Sequence, residues 1–139
     1  MSQPHIQPRL YLLVAAGAAL GGVSRLLISD ALLAATTGFP WGNLLVNVIG
    51  SLLIGFHASL PGGTRWTSSE AHLFISAGFC GGFTTFSLFS LELLLLLETG
   101  NLLLATLFVT ASIVSWLLAV TLGHTLGMRI TMKETDTTR

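Results

Sequence analysis

The stretch Gly78 to Glu92, GFCGGFTTFSLFSLE, puts three glycines, four phenylalanines, four hydroxyl side chains and a carboxylate into fifteen residues of a run apolar enough to cross a bilayer. Glycines 81 and 82, followed by the β-branched pair Thr84 and Thr85, make a poor continuous helix. A break in a membrane helix frees main-chain amides and carbonyls that lipid cannot satisfy, so protein, water or an ion has to take them. Broken crossings often mark ion sites, with carbonyl ends facing cations and amide ends facing anions. Close helix packing is the plainer use of any one glycine. The adjacent threonines and the hydroxyl-rich continuation favour the break.

The rest of the chain agrees with a membrane setting. Of 139 residues 52% are hydrophobic and 9% charged, with mean hydropathy +0.80, whereas soluble domains carry about a quarter charged residues. About 20 apolar residues make one helical crossing, and four such lengths nearly exhaust the sequence: Leu10 to Ala35, Trp41 to Leu60, His72 to Leu97 and Leu102 to Met128. The last segment, 129–139, reads as a polar, mobile tail. The expected fold is all-α, a single four-span membrane domain, 1–139, with a broken third helix. A cleavable leader is the weaker reading of the N-terminus, because apolar character resumes past Arg25 and three more spans follow.

Short turns between spans predict an up-and-down bundle with both termini on one side. That side carries Arg9, Arg65, Arg129, Lys133 and Arg139 against Arg25 opposite, which places the termini in the cytoplasm by the positive-inside rule. The zero net charge and scattered basic residues argue against a nucleic-acid surface. The single cysteine, Cys80, has no partner for an internal disulfide. Histidines 5, 57, 72 and 124 lack metal-ligand spacing and read as interfacial, and no hydrolase, phosphate-loop or zinc motif suggests an enzyme.

Three polar features need an occupant. In the second span Asn43, Asn47 and Ser51 fall at i, i+4 and i+8, one stripe on a helix of Leu, Val, Ile and Gly. Amides in hydrocarbon are costly unless bonded, so this stripe either joins helices or faces an aqueous path, where its N–H groups suit an anion. Phe83, Phe86 and Phe89 recur every third residue beside Ser87 and Ser90. Such a stripe is commonly packing, yet ring edges are positive and can meet an anion shedding its water. Arg25 in GGVSRLL lies in or at the edge of the membrane, where a charge is usually functional; a snorkelling structural role, paired with backbone carbonyls or a carboxylate, stands level with direct ion handling, and Glu92 is its candidate partner or a vestibule group.

GGVSRLL (Gly21 to Leu27), WGNLLVNVIGSLLIG (Trp41 to Gly55) and GFCGGFTTFSLFSLE together closely resemble the Fluc-type fluoride channels, the CrcB family, over the whole chain in length, span number and motif order. The resemblance implies an antiparallel, dual-topology dimer of four-span subunits, either two copies of this chain or this chain with an oppositely oriented relative. It also implies two fluoride pores at the interface and a structural sodium ion at its centre, in a bacterial cell membrane. Phe86 and Phe89 match the family's ring-edge fluoride contacts and Asn47 its pore asparagine. The backbone carbonyls of Gly81 and Thr84 match the sodium ligands. Ser87 and Ser90 match a hydroxyl track, with Glu92 just beyond it, and Arg25 matches the arginine of the first span. Phe108 and Ser112 match, by spacing, an aromatic and a serine lining the pore. Two departures stand out: Asn43 replaces a usual threonine with a larger polar group, and Leu88 interrupts the hydroxyl track.

The expected function is passive fluoride export, since no span carries the paired carboxylates of a proton-coupled pump. Two other readings compete with it. A small four-span antiporter would carry an embedded acid in its first span, where this chain has Arg25 and a peripheral Asp30. A non-transporting scaffold leaves the polar stripes without a use.

Overall fold

The computed structural model describes the backbone of residues 7–35, 38–61 and 65–137, and among them every regular element is helical. Helix α1 is Pro8–Ala35 and α2 is Trp41–Ala58, entered from Pro40, whose missing N–H costs a helix start nothing. One 3-10 turn, Arg65–Thr67, follows. The third crossing is two helices: α3, residues 69–83, and α4, Ser87–Glu98. The fourth is α5, Leu102–Thr137. Four segments are long and apolar enough to span a bilayer: Pro8–Leu32, Trp41–Ala58, Ser69–Glu98 and Leu102–Met132.

Two cross-contacts fix the alternation of direction. Arg9 near the start of α1 lies 3.7 Å from Glu70 near the start of α3, so both helices begin on one face of the membrane. Thr131 Oγ1 donates to the Ser59 carbonyl at 3.3 Å, bringing the end of α5 to the end of α2. The segment expected as a mobile tail continues α5 as helix to Thr137. Its Lys and Glu are good helix formers, and it grows from a preformed helix end, so it needs no new nucleus.

The bundle is turned inside out relative to a soluble protein. Its large apolar side chains, such as Leu12, Leu20, Leu103 and Leu118, face outward, where hydrocarbon receives them. Inside, small and polar residues such as Ala105, Asn43, Asn47 and Ser112 stand beside one aromatic cluster, because helices in lipid associate through close contact and hydrogen bonds, with no hydrophobic drive. Helix α1 lies along α3, and α2 along α5. Gly21 on α1 and Gly82 on α3 set the first approach: a Cβ on either would overlap a main-chain oxygen opposite, Phe79 O or Ala18 O. Part of α3, Leu73–Cys80, is π-helical, a wider winding that rotates the following residues away from the positions an α-helical count gives them.

Candidate functional site

The helix break lies at Thr84, Thr85 and Phe86, downstream of the glycines expected to cause it. Gly81 is helical, at φ −62° and ψ −38°, and Gly82 is used for packing. Thr84 turns extended, at ψ 157°. What opens the helix is a side chain from another span. Asn47 Oδ1 accepts the Thr85 N–H at 2.8 Å, and Asn47 Nδ2 donates to the Thr85 carbonyl at 2.9 Å. Thr85 Oγ1 then accepts the Leu88 N–H at 3.3 Å, the service an N-cap performs for a new helix.

This rearrangement strips two carbonyls of their helical donors. In an unbroken α-helix the Thr85 N–H closes on Gly81 and the Leu88 N–H on Thr84. Here both are donated to side-chain oxygens. The two carbonyls are those that the resemblance assigns to sodium, and main-chain oxygens are the donor type a hard cation takes. Gly81 is exposed, and a Cβ there would find only the Ser76 carbonyl, at 3.9 Å. The residues present fit such an ion.

A continuous polar row leads from the break to α4. Asn47 Nδ2 also donates to Asn43 Oδ1 at 2.8 Å, and Asn43 Nδ2 donates to Glu92 Oε2 at 2.8 Å. Asn43 is 2% and Asn47 5% exposed, so these bonds satisfy groups that lipid would leave costly. Both hydrogens of the Asn47 amide are committed to protein acceptors. Beside the row lies an open groove of about 210 Å³ walled by Asn47, Ser51, Ile54, Thr84, Thr85, Phe86 and Trp116.

The two phenylalanines expected to act together have different surroundings. Phe86 is 71% exposed at the groove, whereas Phe89 is 6% exposed and joins a cluster with Leu96, Ala105 and Phe108. Their ring centroids are 5.5 Å apart and tilted by 38°. Phe89 meets Phe108 at 5.1 Å and Trp116 edge-on at 5.1 Å. Ser87 Oγ is 3.1 Å from Thr85 Oγ1, and Ser90 donates back to the Phe86 carbonyl at 3.0 Å. Ser112 is fully enclosed.

The sequence profile described as CrcB-like protein, Camphor Resistance (CrcB), matches residues 12–124, which contain every one of these side chains. The chain belongs to the CrcB family. Fluoride-specific ion channel FluC 1 of Rhodopseudomonas palustris (strain BisB18) is 48% identical to this CrcB chain over 124 residues, 87% of this chain and 88% of its own length. FluC 1 of Bradyrhizobium diazoefficiens is 44% identical over 122 residues, 86% of this chain and 85% of its own. Fluoride-specific ion channel FluC of Methylocella silvestris is 46% identical over 123 residues, 86% of this chain and 94% of its own. Four spans and bacterial relatives make this CrcB member a multi-pass protein of a bacterial cell membrane.

Towards the end of the bundle where α1 finishes, this CrcB chain has a cleft of about 450 Å³ that brings Arg25, Asp30, Asn43 and Glu92 together, with Trp41 and Leu88 on its wall. Arg25 and Glu92 therefore share one vestibule, and the polar row starts in it. At the other end His57, expected at the interface, is 6% exposed. Its Nε2 lies 2.8 Å from the Trp66 carbonyl and its Nδ1 2.8 Å from Ser76 Oγ. The carbonyl only accepts, so Nε2 carries the proton. His72 stacks on it at 5.1 Å, and His5 and Arg139 lie outside the described residues. Spacing did not single out Trp116; one turn beyond Ser112, it was reachable by extending that face of α5.

Proposed function

We propose that this chain is a fluoride-selective channel, with two pores at the interface of an antiparallel dimer, letting fluoride leave the cytoplasm passively. The observation that carries the reading is the polar row Glu92, Asn43, Asn47, Thr85 running through a hydrocarbon-spanning bundle into a groove edged by Phe86. The names of the relatives agree with it.

Fluoride is small and holds water tightly, so a pore must offer substitutes for that water. Ring edges, hydroxyls and amide hydrogens do so without adding a cation deep enough to trap the ion. The Asn47 amide reaches fluoride by exchanging one of its present acceptors, the Asn43 or the Thr85 oxygen, for the anion. Such an exchange leaves the total of hydrogen bonds nearly unchanged, which suits passage better than tight binding. Leu88 faces the vestibule, and the interruption of the hydroxyl track falls there.

The groove is open in one chain, and a second copy facing it would close it. A sodium ion held by the Gly81 and Thr84 carbonyls of both copies would supply positive charge that offsets repulsion between anions. The free side of Gly81 and the diverted amides support this placement. With no coupled step, a cytoplasm-negative potential drives each anion outward with about 2.3 kcal/mol per 100 mV.

The test is efflux from liposomes containing the purified chain, followed with fluoride-selective and chloride-selective electrodes. Fast fluoride release with chloride retained is the expected result. Equal passage of both halides refutes selectivity, and passage of neither refutes the channel.

A further inference from the structure

Two donors buried in α5 have no acceptor. Ser112 is 0% exposed, and its Oγ and the Trp116 Nε1 are the buried side-chain polar atoms without a hydrogen-bond partner among the described residues. Buried polar groups in native proteins are nearly always bonded, and in hydrocarbon an orphan is costlier still. An indole N–H donates and never accepts, so what it lacks is an acceptor. Every other buried amide or hydroxyl along the pathway, at Asn43, Asn47 and Thr85, is engaged.

Their placement narrows what that acceptor is. Ser112 and Trp116 are one helical turn apart on one face of α5, where Cβ atoms stand about 5–6 Å from each other. The acceptor that either hydrogen lacks would stand about 2.8 Å from its donor. Trp116 lines the groove together with Asn47 and Phe86 and takes the Phe89 ring edge-on, at an interplanar angle of 70°. The Trp116 side chain thus adjoins both the groove and the aromatic pair described above.

We propose that the Trp116 indole N–H, with the Ser112 hydroxyl one helical turn before it, is a fluoride-binding station on the groove that Asn47 also lines. The proposal deepens the channel reading and rests on it, since fluoride is the anion that reading brings into the groove. Trp116 acts by donating to the ion, and Phe89 holds its ring. Both donor atoms are closed to water in the single chain, so fluoride occupies the station without its hydration shell.

The experiment uses the full chain with 15N-labelled indoles. The three tryptophans, Trp41, Trp66 and Trp116, give three indole signals, and Trp116→Phe assigns one by removing it. Exchanging chloride for fluoride at constant sodium should move the Trp116 signal saturably and leave Trp41 and Trp66 in place. Ser112→Ala should raise the fluoride concentration needed. In liposomes Trp116→Phe, which keeps a ring and loses the N–H, should slow fluoride efflux about tenfold, the scale of one hydrogen bond to an ion. The remaining two indole signals report whether that variant is folded. A Trp116 signal blind to fluoride overturns the proposal, and if the wild type still conducts, the channel reading survives alone. A moving signal in a chain that conducts nothing keeps the site and removes the channel.

Discussion

Asn47 holds Thr85 by both ends, its Oδ1 taking the N–H at 2.8 Å and its Nδ2 giving to the carbonyl at 2.9 Å. A side chain of α2 thereby replaces two rungs of the third crossing's own ladder. Asn47→Leu keeps the volume and removes both bonds, and interhelical hydrogen bonds in bilayers are worth about 1 kcal/mol each. The expected loss is about 2 kcal/mol, read as a lowered thermal midpoint in detergent, together with loss of fluoride efflux. An unchanged midpoint shows that the break forms without the clamp.

Phe86 and Phe89, three residues apart, should separate conduction from stability. Phe86 is 71% exposed, so Phe86→Ile should leave the unfolding midpoint within about 0.5 kcal/mol of wild type. Fluoride efflux should nevertheless fall by orders of magnitude, because an aliphatic group has no positive ring edge. Phe89→Ala empties a cluster shared with Phe108 and Trp116, with a cost of about 3 kcal/mol. If the two variants melt alike, the assignment of Phe89 to the core is wrong.

Adjacent glycines predict a similar contrast. At Gly82 a methyl group overlaps the Ala18 carbonyl, and at Gly81 it makes only an ordinary contact with the Ser76 carbonyl at 3.9 Å. Gly82→Ala should destabilise the monomer by about 1–3 kcal/mol, the usual range for overpacking. Gly81→Ala should leave monomer stability intact and weaken dimerisation and efflux, since that face is left for a second copy. Light scattering and thermal unfolding on both variants measure the difference.

The residues that form the polar row and its groove were legible in the sequence, while the shape they take was not. Hydropathy located four spans because a bilayer demands about 20 apolar residues each. The i, i+4 stripe of Asn43 and Asn47 survives because α2 is regular. The exact break does not follow from Gly81 and Gly82, since what diverts the Thr85 amide is Asn47, 38 residues earlier in the chain. Local propensity contains no term for that bond. The π-helical winding of Leu73–Cys80 has no composition signature, and the enclosure of His57 depends on Ser76 and Trp66 reaching it from later segments.

Sodium should matter, and through one identifiable side chain. Its expected ligands are main-chain oxygens, so no ligand can be deleted by substitution, yet the competition for them can be changed. Thr85 Oγ1 keeps the Leu88 N–H away from the Thr84 carbonyl. Thr85→Val has no oxygen there, and the amide is then free to close on Thr84 as in a regular helix. The ion then competes with a hydrogen bond worth about 1 kcal/mol, so the sodium concentration for half-maximal efflux should rise about fivefold to tenfold. Wild-type protein dialysed into choline buffer should lose fluoride efflux and regain it with sodium, at a lower concentration than the variant requires. Efflux indifferent to sodium in both proteins removes the cation from the break, and the freed carbonyls must then be satisfied by water or by the facing chain.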